Sequence, residues 1–244
     1  MDYESGLLLD WYMLFHYGSP EEILDGIGFE ASGLPPRCLE FPVATVEAAG
    51  LSAPAGRALD LGCAVGRSTL ELSKFADEVL GVDFSAAFVA AAETVRSGGA
   101  LAYCRYGEMH RPESLFARCP EGTAPDRVSF ERGDAMDLRA DLGAFDLVHA
   151  ANLLCRLSEP RRLLDRLPAL VKPGGRLVFA TPATWMEACT ASEHQPPGRT
   201  LDFLQACLGG SFELLSVAEL PFLIREHQRK FQLSTSQTSV WGRR

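Results

Sequence analysis

The chain has 244 residues, the size of one large domain, and 47% of them are hydrophobic, so it can bury a sizeable core. Acidic residues outnumber basic ones by 32 to 23, which gives a formal net charge of −9. Because nucleic-acid binders usually carry a basic surface, this balance disfavours nucleic acids and anionic membranes as partners. The acidic start of the chain lacks the basic region of a signal peptide, so we expect a cytoplasmic protein.

The cysteines are scattered along the chain and never form a CxxC pair. Their number is odd, and their spacing fits neither a disulfide framework nor a zinc site. We therefore expect reduced thiols and no metal site. The seven positions are Cys38, Cys63, Cys104, Cys119, Cys155, Cys189 and Cys207.

The predicted elements alternate between strand and helix through the middle of the chain. Residues 1–50 read as a helical cap that begins with an amphipathic helix. The predicted strands that follow are 57–61, 78–83, 127–132, 145–150 and 176–181, and the predicted helices are 67–75, 86–96 and 159–170. This alternation is typical of βαβ units, so we predict an α/β fold with a doubly wound, mostly parallel sheet.

The end of the chain follows a different pattern. A helix begins at residue 200, and two strand-like runs follow, 211–220 and 232–241. The connector between them, 221–230, is too short for a packed crossover helix, so the two strands should pair antiparallel. We predict a single domain, 1–244, with a cofactor-binding core at 56–181 and a C-terminal helix and hairpin at 200–244. The Gly- and Pro-containing segments 97–126 and 182–199 read as insertions near the strand ends.

The sharpest local signal is the turn LDLGCAVGR at residues 59–67, between a predicted strand and a predicted helix. Gly62 and Gly66 let the backbone approach a ligand, and a helix N-terminus offers free N–H groups. Asp60 precedes the turn, and Asp83 ends the next strand, where a carboxylate can accept both hydroxyls of a ribose. The glycine spacing differs from the dinucleotide GxGxxG pattern, which argues against a nicotinamide dehydrogenase.

These residues resemble the class I S-adenosylmethionine methyltransferases. Ala64 stands at the middle glycine of that family's turn, a change that is tolerated where the residue needs no positive φ. The resemblance implies a seven-stranded sheet with an antiparallel last strand and S-adenosyl-L-methionine as cofactor. It places Phe84 against the adenine ring and Asp134 at the adenine amino group. The predicted cofactor-binding residues are Asp60, Gly62, Cys63, Gly66, Asp83, Phe84, Asp134, Ala135 and Asn152.

The two ends of the chain carry a narrower resemblance. YESGLLLDWYMLFHYG at 3–18 and LPFLIREHQRKFQ at 220–232 are similar to the 4-mercaptohistidine (5-thiohistidine) N1-methyltransferases of ovothiol biosynthesis. This implies methylation of the imidazole nitrogen nearest the amino-acid side chain, as the last step of that pathway, and a functional link to an ovothiol synthase. The family has an acidic residue at the position of Cys155. Because this chain has a cysteine there, no role of that acidic residue is carried over. A methyltransferase for another small metabolite and a non-catalytic cofactor sensor remain alternatives.

An amino-acid substrate needs an arginine for its carboxylate and polar groups that orient its ring. The N-terminal helix presents Tyr12, His16 and Tyr17 on one face, and Arg225 and His227 point the same way in an extended connector. If the helix closes over the cleft, the two sets meet around the acceptor. Removal of residues 1–18 should then leave a folded domain. The predicted catalytic residues are Tyr12, His16, Asn152 and His227, and the predicted substrate-binding residues are Tyr17, Asn152 and Arg225.

Overall fold

The computed structural model describes residues 3–28, 30–51 and 54–244, so residues 1, 2 and 29 of the predicted cap lie outside it. The predicted strands and helices lie close to their expected positions. The strands are β1 Ala55–Leu61, β2 Ala76–Asp83, β3 Leu101–Tyr106, β4 Pro112–Ala117, β5 Val128–Arg132, β6 Phe145–Ala151, β7 Val171–Thr181, β8 Phe212–His227 and β9 Lys230–Arg243. The helices are α1 Gly6–Tyr17, α2 Pro20–Leu24, α3 Phe41–Glu47, α4 Arg67–Leu72, α5 Ala86–Arg96, α6 Pro160–Leu170 and α7 Thr200–Leu208.

Seven strands form one sheet in the order β5-β2-β1-β6-β7-β9-β8. All neighbouring pairs are parallel except those of β9, which runs antiparallel to both β7 and β8. The prediction of a mostly parallel sheet with an antiparallel last strand is therefore confirmed. Since β1, β2 and β6 are parallel, their carboxyl ends meet at one edge of the sheet, where ligands bind in folds of this kind.

The core has two layers because the central strands are apolar on both faces. Ala58 belongs to the cluster beneath α1, α3, α4 and α5, whereas its neighbour Leu59 belongs to the cluster beneath α6 and α7. The same alternation separates Leu147 from Val148 in β6. Burial on both faces explains why these strands read as continuous apolar runs rather than as alternating ones.

The C-terminal strands are longer than predicted. β8 continues through residues 221–227, and only residues 228 and 229 connect it to β9. Pro221 does not end the strand because β8 is the edge of the sheet and has a partner on one side only. The predicted connector was therefore wrong, and Arg225 and His227 lie within β8 and pair with residues of β9.

The insertion at 97–126 contains a hairpin, β3–β4, that the sequence did not predict. This hairpin holds α1: Asp10 accepts hydrogen bonds from the Cys104 amide (2.8 Å) and from the Tyr106 hydroxyl (2.7 Å). The inner face of α1 also buries Met13 and Leu14 in the main core cluster. Removal of residues 1–18 would expose these contacts, so we expect it to destabilise the domain, contrary to the sequence-based expectation.

None of the helices in the described part of the chain has the length and apolar character needed to cross a membrane.

Candidate active site

A cavity of about 450 Å³ lies at the carboxyl ends of β1, β2 and β6. Carboxylates line one end of it, which we call the acidic end: Asp60, Asp83 and Asp134. Aromatic rings of α1 and residues that follow β6 line the other end, which we call the acceptor end. The predicted site residues on the wall of the cavity are Tyr12, His16, Asp60, Gly62, Cys63, Asp83, Phe84, Asp134, Ala135 and Asn152.

The glycine turn follows β1 with three residues in the left-handed region. φ is 68° at Gly62, 47° at Ala64 and 86° at Gly66. Ala64 therefore does need a positive φ, which costs roughly 1–2 kcal/mol for a residue with a Cβ. Its amide donates a hydrogen bond of 2.9 Å to Asp83 Oδ2, so the strained residue is fixed to the end of the neighbouring strand.

Gly66 does not line the cavity, which corrects its predicted role in cofactor binding. A Cβ at this position would lie 2.6 Å from the ring of Phe130 and 2.8 Å from Ala92. The glycine instead lets the start of α4 pack closely against its neighbours. Its function is therefore helix packing, which the spacing of the motif alone does not distinguish from contact with a ligand.

Asp83 is well placed to bind a pair of hydroxyl groups. Its Oδ1 accepts a hydrogen bond from the Ser85 amide and its Oδ2 one from the Ala64 amide, each of 2.9 Å. A carboxylate has about four acceptor sites, so each oxygen keeps one for a ligand. Burial raises the pKa of Asp83, and the hydrogen bonds from Ser85 and Ala64 oppose that shift.

Asp60 differs from Asp83 because side chains, rather than backbone amides, bind its two oxygens and because it is almost fully buried. Thr69 Oγ1 donates to Oδ2 (2.7 Å), and His149 Nδ1 lies 2.7 Å from Oδ1. Asp60 and His149 face each other in the parallel register of β1 and β6, and both are about 1% exposed. His149 Nε2 is buried without a hydrogen-bond partner among the described residues, and His149 lines the cavity. Of this pair, His149 is therefore the residue with an atom, Nε2, left to form a hydrogen bond with a ligand.

The sequence analysis gave His149 no role, because no motif within its own stretch of chain marks it as a site residue. The predicted strand order could have indicated a role for His149. In a doubly wound sheet β1 and β6 are neighbours, so polar residues near their carboxyl ends face each other.

Phe84 and Asp134 complete the acidic end. The Phe84 side chain is 66% exposed, and Arg132 lies 5.7 Å from its ring centroid. An exposed aromatic ring beside a cavity offers a stacking surface for a planar ligand. Asp134 Oδ1 accepts a hydrogen bond of 2.8 Å from the Met136 amide, which orients the carboxylate at the cavity wall.

The acceptor end is built from stacked rings. The ring of Tyr12 packs 4.9 Å from Phe88 and 6.0 Å from His16. Burial, together with the nearby Arg67 guanidinium, lowers the pKa of His16 to about 3. His16 is therefore a neutral imidazole at physiological pH, and its Nδ1 has no partner in the described part of the chain.

Asn152 lies at the same end, immediately after β6, with φ at 55°. Its amide N–H donates to the Ala180 carbonyl (2.7 Å), and its Oδ1 accepts a hydrogen bond of 2.6 Å from Ser236 Oγ on β9. With the oxygen occupied, the side-chain NH₂ group is left to donate hydrogen bonds to a ligand.

Besides Gly66, three predicted residues do not line the cavity. The Tyr17 hydroxyl donates to the Val65 carbonyl (2.7 Å) and fastens α1 to the glycine turn. Arg225 is 3% exposed and donates to the carbonyls of Ile23 and Asp25, each at 2.8 Å, so it binds the end of α2. His227 Nδ1 accepts from the Arg229 amide in the β8–β9 turn. The structure therefore does not bring these three residues to the cavity: Tyr17 holds α1 in place, and Arg225 and His227 lie within β8 because that strand continues past its expected end.

Arg156 is the arginine that the structure does bring to the cavity, and the sequence analysis did not select it. It ends a short helical turn, Leu154–Arg156, after β6. Among the described residues it is the only Lys or Arg on the cavity wall. Arg156 lies only four residues after Asn152, which the sequence analysis had placed in the site, so the sequence could have marked Arg156 as a candidate.

The strand order and the cavity at the carboxyl ends define a class I methyltransferase fold. Residues 42–230 match the model of a methyltransferase domain family, and the chain belongs to that family. The prediction of a methyltransferase is thereby confirmed.

Relatives of the chain carry out varied methylations. The chain is 29% identical to the O-methyltransferase cnsE of Penicillium expansum over 183 residues, which cover 71% of this chain and 58% of that protein. It is 47% identical to a demethylmenaquinone methyltransferase of Clavibacter sepedonicus over 60 residues, 23% of this chain and 24% of that protein. The chain thus spans about three fifths or less of the length of these curated relatives.

Among solved structures, the chain resembles the N-methyltransferase NodS of Bradyrhizobium japonicum WM9, solved in complex with S-adenosyl-L-homocysteine. The TM-score is 0.58, with 14% identity, over 100% of this chain and 99% of that one. At this identity the likeness shows the fold.

S-adenosylmethionine fits the residues at the acidic end. Asp83 has acceptor sites for two ribose hydroxyls, Phe84 offers a face for the adenine, and the carboxylate of Asp134 is fixed beside it. The buried Nε2 of His149, which has no hydrogen-bond partner among the described residues, is a further polar group that could bind the cofactor at this end.

Proposed function

We propose that this protein transfers the methyl group of S-adenosylmethionine to the imidazole nitrogen nearest the side chain of 5-thiohistidine, and that an ovothiol synthase supplies its substrate. The bound cofactor would supply an electrophilic methyl group. The observation that carries the proposal is the acceptor end of the cavity, where the neutral imidazole of His16 stacks on Tyr12 with its Nδ1 unpartnered. The resemblance of both chain ends to the thiohistidine methyltransferases supports the same substrate.

The chain's own task in such a reaction is positioning. The nucleophilic nitrogen must lie about 3 Å from the methyl carbon and in line with the bond that breaks, which supplies roughly 7–11 kcal/mol. The sulfur of thiohistidine is the better nucleophile, so the site must fix the orientation of the ring as well as bind it. The stacked rings of Tyr12 and His16 on α1 provide one wall, and the Asn152 NH₂ group provides donors in a direction set by Ser236.

The ring loses one proton as it gains the methyl group, and His16 is unsuited to holding that proton. A histidine whose pKa is lowered to about 3 stays neutral at physiological pH. Its effective role is to form a hydrogen bond with the acceptor ring. We therefore assign His16 a positioning role rather than that of a general base, and the proton leaves to solvent.

The experiment is a turnover assay with purified protein, S-adenosylmethionine and 5-thiohistidine. We expect a mass gain of one methyl group, and NMR of the product should place it on the nitrogen nearest the side chain. Histidine is the matched acceptor without sulfur. A pocket with matched polar contacts rejects such analogues, by up to ~10⁴-fold in kcat/KM.

Two outcomes would contradict the proposal, and each would point to a different alternative function. Equal kcat/KM for histidine and thiohistidine would indicate a general imidazole methyltransferase. Cofactor binding without methylation of thiohistidine would leave a methyltransferase for another metabolite, or a cofactor sensor.

A further inference from the structure

Arg156 has no carboxylate partner among the described residues, although the cavity that it lines carries three acids. Its recorded hydrogen bond is a long one, 3.5 Å from Nη1 to the Thr184 carbonyl, and the thiol of Cys189 lies beside it. The side chain is half-buried. A guanidinium has five donor N–H groups in a planar fork, so most of its hydrogen-bonding capacity is available to a ligand.

Other arginines close to the site are already engaged within the chain. Arg67 forms an ion pair of 2.8 Å with Glu71. Arg225 binds two backbone carbonyls, and Arg132 donates to the Phe84 carbonyl (3.1 Å) while it lies over the Phe84 ring. Arg156 therefore differs from these three arginines because it lines the cavity and its contacts within the chain, with the Thr184 carbonyl and the Cys189 thiol, are weak ones.

Among the described residues of the cavity wall, Arg156 is the one Lys or Arg beside the three carboxylates of Asp60, Asp83 and Asp134. It lies close enough to Tyr12 to lower the pKa of that residue against the stronger effect of burial, whereas Asp83 raises the same pKa. An anionic group in the cavity is therefore attracted to Arg156 and repelled by the carboxylates. In a half-buried site this attraction is stronger than in bulk water.

We propose that Arg156 binds the carboxylate of the methyl acceptor, and that the acceptors of this protein are therefore small molecules with an anionic group. This inference rests on the proposed function for the identity of the acceptor. A carboxylate accepts two parallel hydrogen bonds from one guanidinium, which fixes orientation as well as position. Arg156 thereby takes the role that the sequence analysis gave to Arg225.

The test compares two ligands and three variants by isothermal titration calorimetry. The full chain, saturated with S-adenosylhomocysteine, is titrated with 5-thiohistidine and with its decarboxylated amine. The variants are Arg156→Gln, Arg156→Lys and the control Arg162→Gln. Arg162 lies on α6, half exposed and outside the cavity, where it pairs with Glu159.

We expect the wild type to bind the amino acid about tenfold or more tightly than the amine, since tenfold corresponds to about 1.4 kcal/mol. Arg156→Gln should abolish that preference by weakening the amino acid alone. Arg156→Lys should give an intermediate result, because an ammonium keeps the charge but not the planar fork. Arg162→Gln should behave as the wild type.

Three results would overturn the inference. The first is a wild type that does not bind the amino acid more tightly than the amine. The second is equal weakening of the binding of both ligands by Arg156→Gln, and the third is weaker binding of S-adenosylhomocysteine by that variant. The last result would place Arg156 in the cofactor site. Methyl transfer measured on the same samples separates the two proposals. Carboxylate binding that depends on Arg156 without methylation refutes only the proposed function, and undiminished methylation by Arg156→Gln refutes only the role of Arg156.

Discussion

Asp83→Ala tests the acidic end of the cavity most directly. Asp83 ends β2, and each of its oxygens already accepts one backbone hydrogen bond of 2.9 Å. The contacts that remain for the cofactor are one per oxygen, to the two ribose hydroxyls. The substitution removes the charge, both acceptors for the cofactor and the fixed position of the glycine turn.

The magnitude follows from these two contacts. A hydrogen bond to a charged group contributes roughly 1.5–3 kcal/mol, so two of them lost at the lower value weaken binding by about 3 kcal/mol. That corresponds to an increase in Kd of about 10²-fold. Asp83→Asn keeps one acceptor oxygen and the side-chain volume, so its effect should be smaller.

The assay is calorimetric titration of S-adenosylhomocysteine, with Asp77→Ala as the matched control. Asp77 lies at the opposite end of β2 with its side chain 74% exposed, so it should leave the affinity unchanged. Urea unfolding of each variant shows whether the fold is intact. A Kd for Asp83→Ala within about threefold of the wild type would remove Asp83 from the site, since threefold is less than 1 kcal/mol.

The pH dependence of binding gives a second measure of the same residue. Burial raises the pKa of Asp83, so its carboxylate becomes protonated at a higher pH than an exposed aspartate. A protonated carboxyl accepts hydrogen bonds less well, so the affinity should fall as the pH decreases toward that raised pKa. Asp83→Asn, which cannot titrate, should not show this loss, and an equal loss in both proteins would assign it to another group.

Further substitutions test the turn, the helix above it and the buried pair beneath it. Gly62→Val places a β-branched residue at φ 68°, so we expect a lower Tm and loss of cofactor binding, and normal binding would show that the turn does not hold the cofactor. Tyr17→Phe removes the hydrogen bond to the Val65 carbonyl, and urea unfolding should show about 1 kcal/mol less stability; no change would mean that this contact does not hold α1. His149→Phe leaves the buried Asp60 with one partner fewer, and we expect a loss of roughly 1–3 kcal/mol in stability together with weaker cofactor binding. Unaltered cofactor affinity in that variant would restrict His149 to a structural role.

The features that the sequence predicted well depend on local chemistry. The pattern of apolar runs predicted the strands and their parallel arrangement, and the start of α5 at residue 86 is fixed locally by Ser85, whose Oγ accepts a hydrogen bond of 3.1 Å from the Phe88 amide. The glycine turn and Asp83 were identifiable because strand ends and turn residues lie within a short stretch of chain.

The features that it missed depend on contacts between distant segments. The buried pair of Asp60 and His149 needs the register of β1 and β6. Whether an arginine enters the cavity depends on the path of the chain around it, so Arg225 was chosen and Arg156 was not. The length of β8 was underestimated because Pro221 reads as a strand breaker, although an edge strand accommodates it.

The hydrogen bond between Ser236 and Asn152 has a consequence for how the protein is made. Asn152 follows β6, but the group that orients its side chain lies on β9, 84 residues further along the chain. The strands that carry Asp60 and Asp83 leave the ribosome well before β9, which pairs with both β7 and β8. A nascent chain that has assembled its acidic end therefore still lacks the hydroxyl group that orients the Asn152 side chain, so the two ends of the cavity are completed at different times during synthesis.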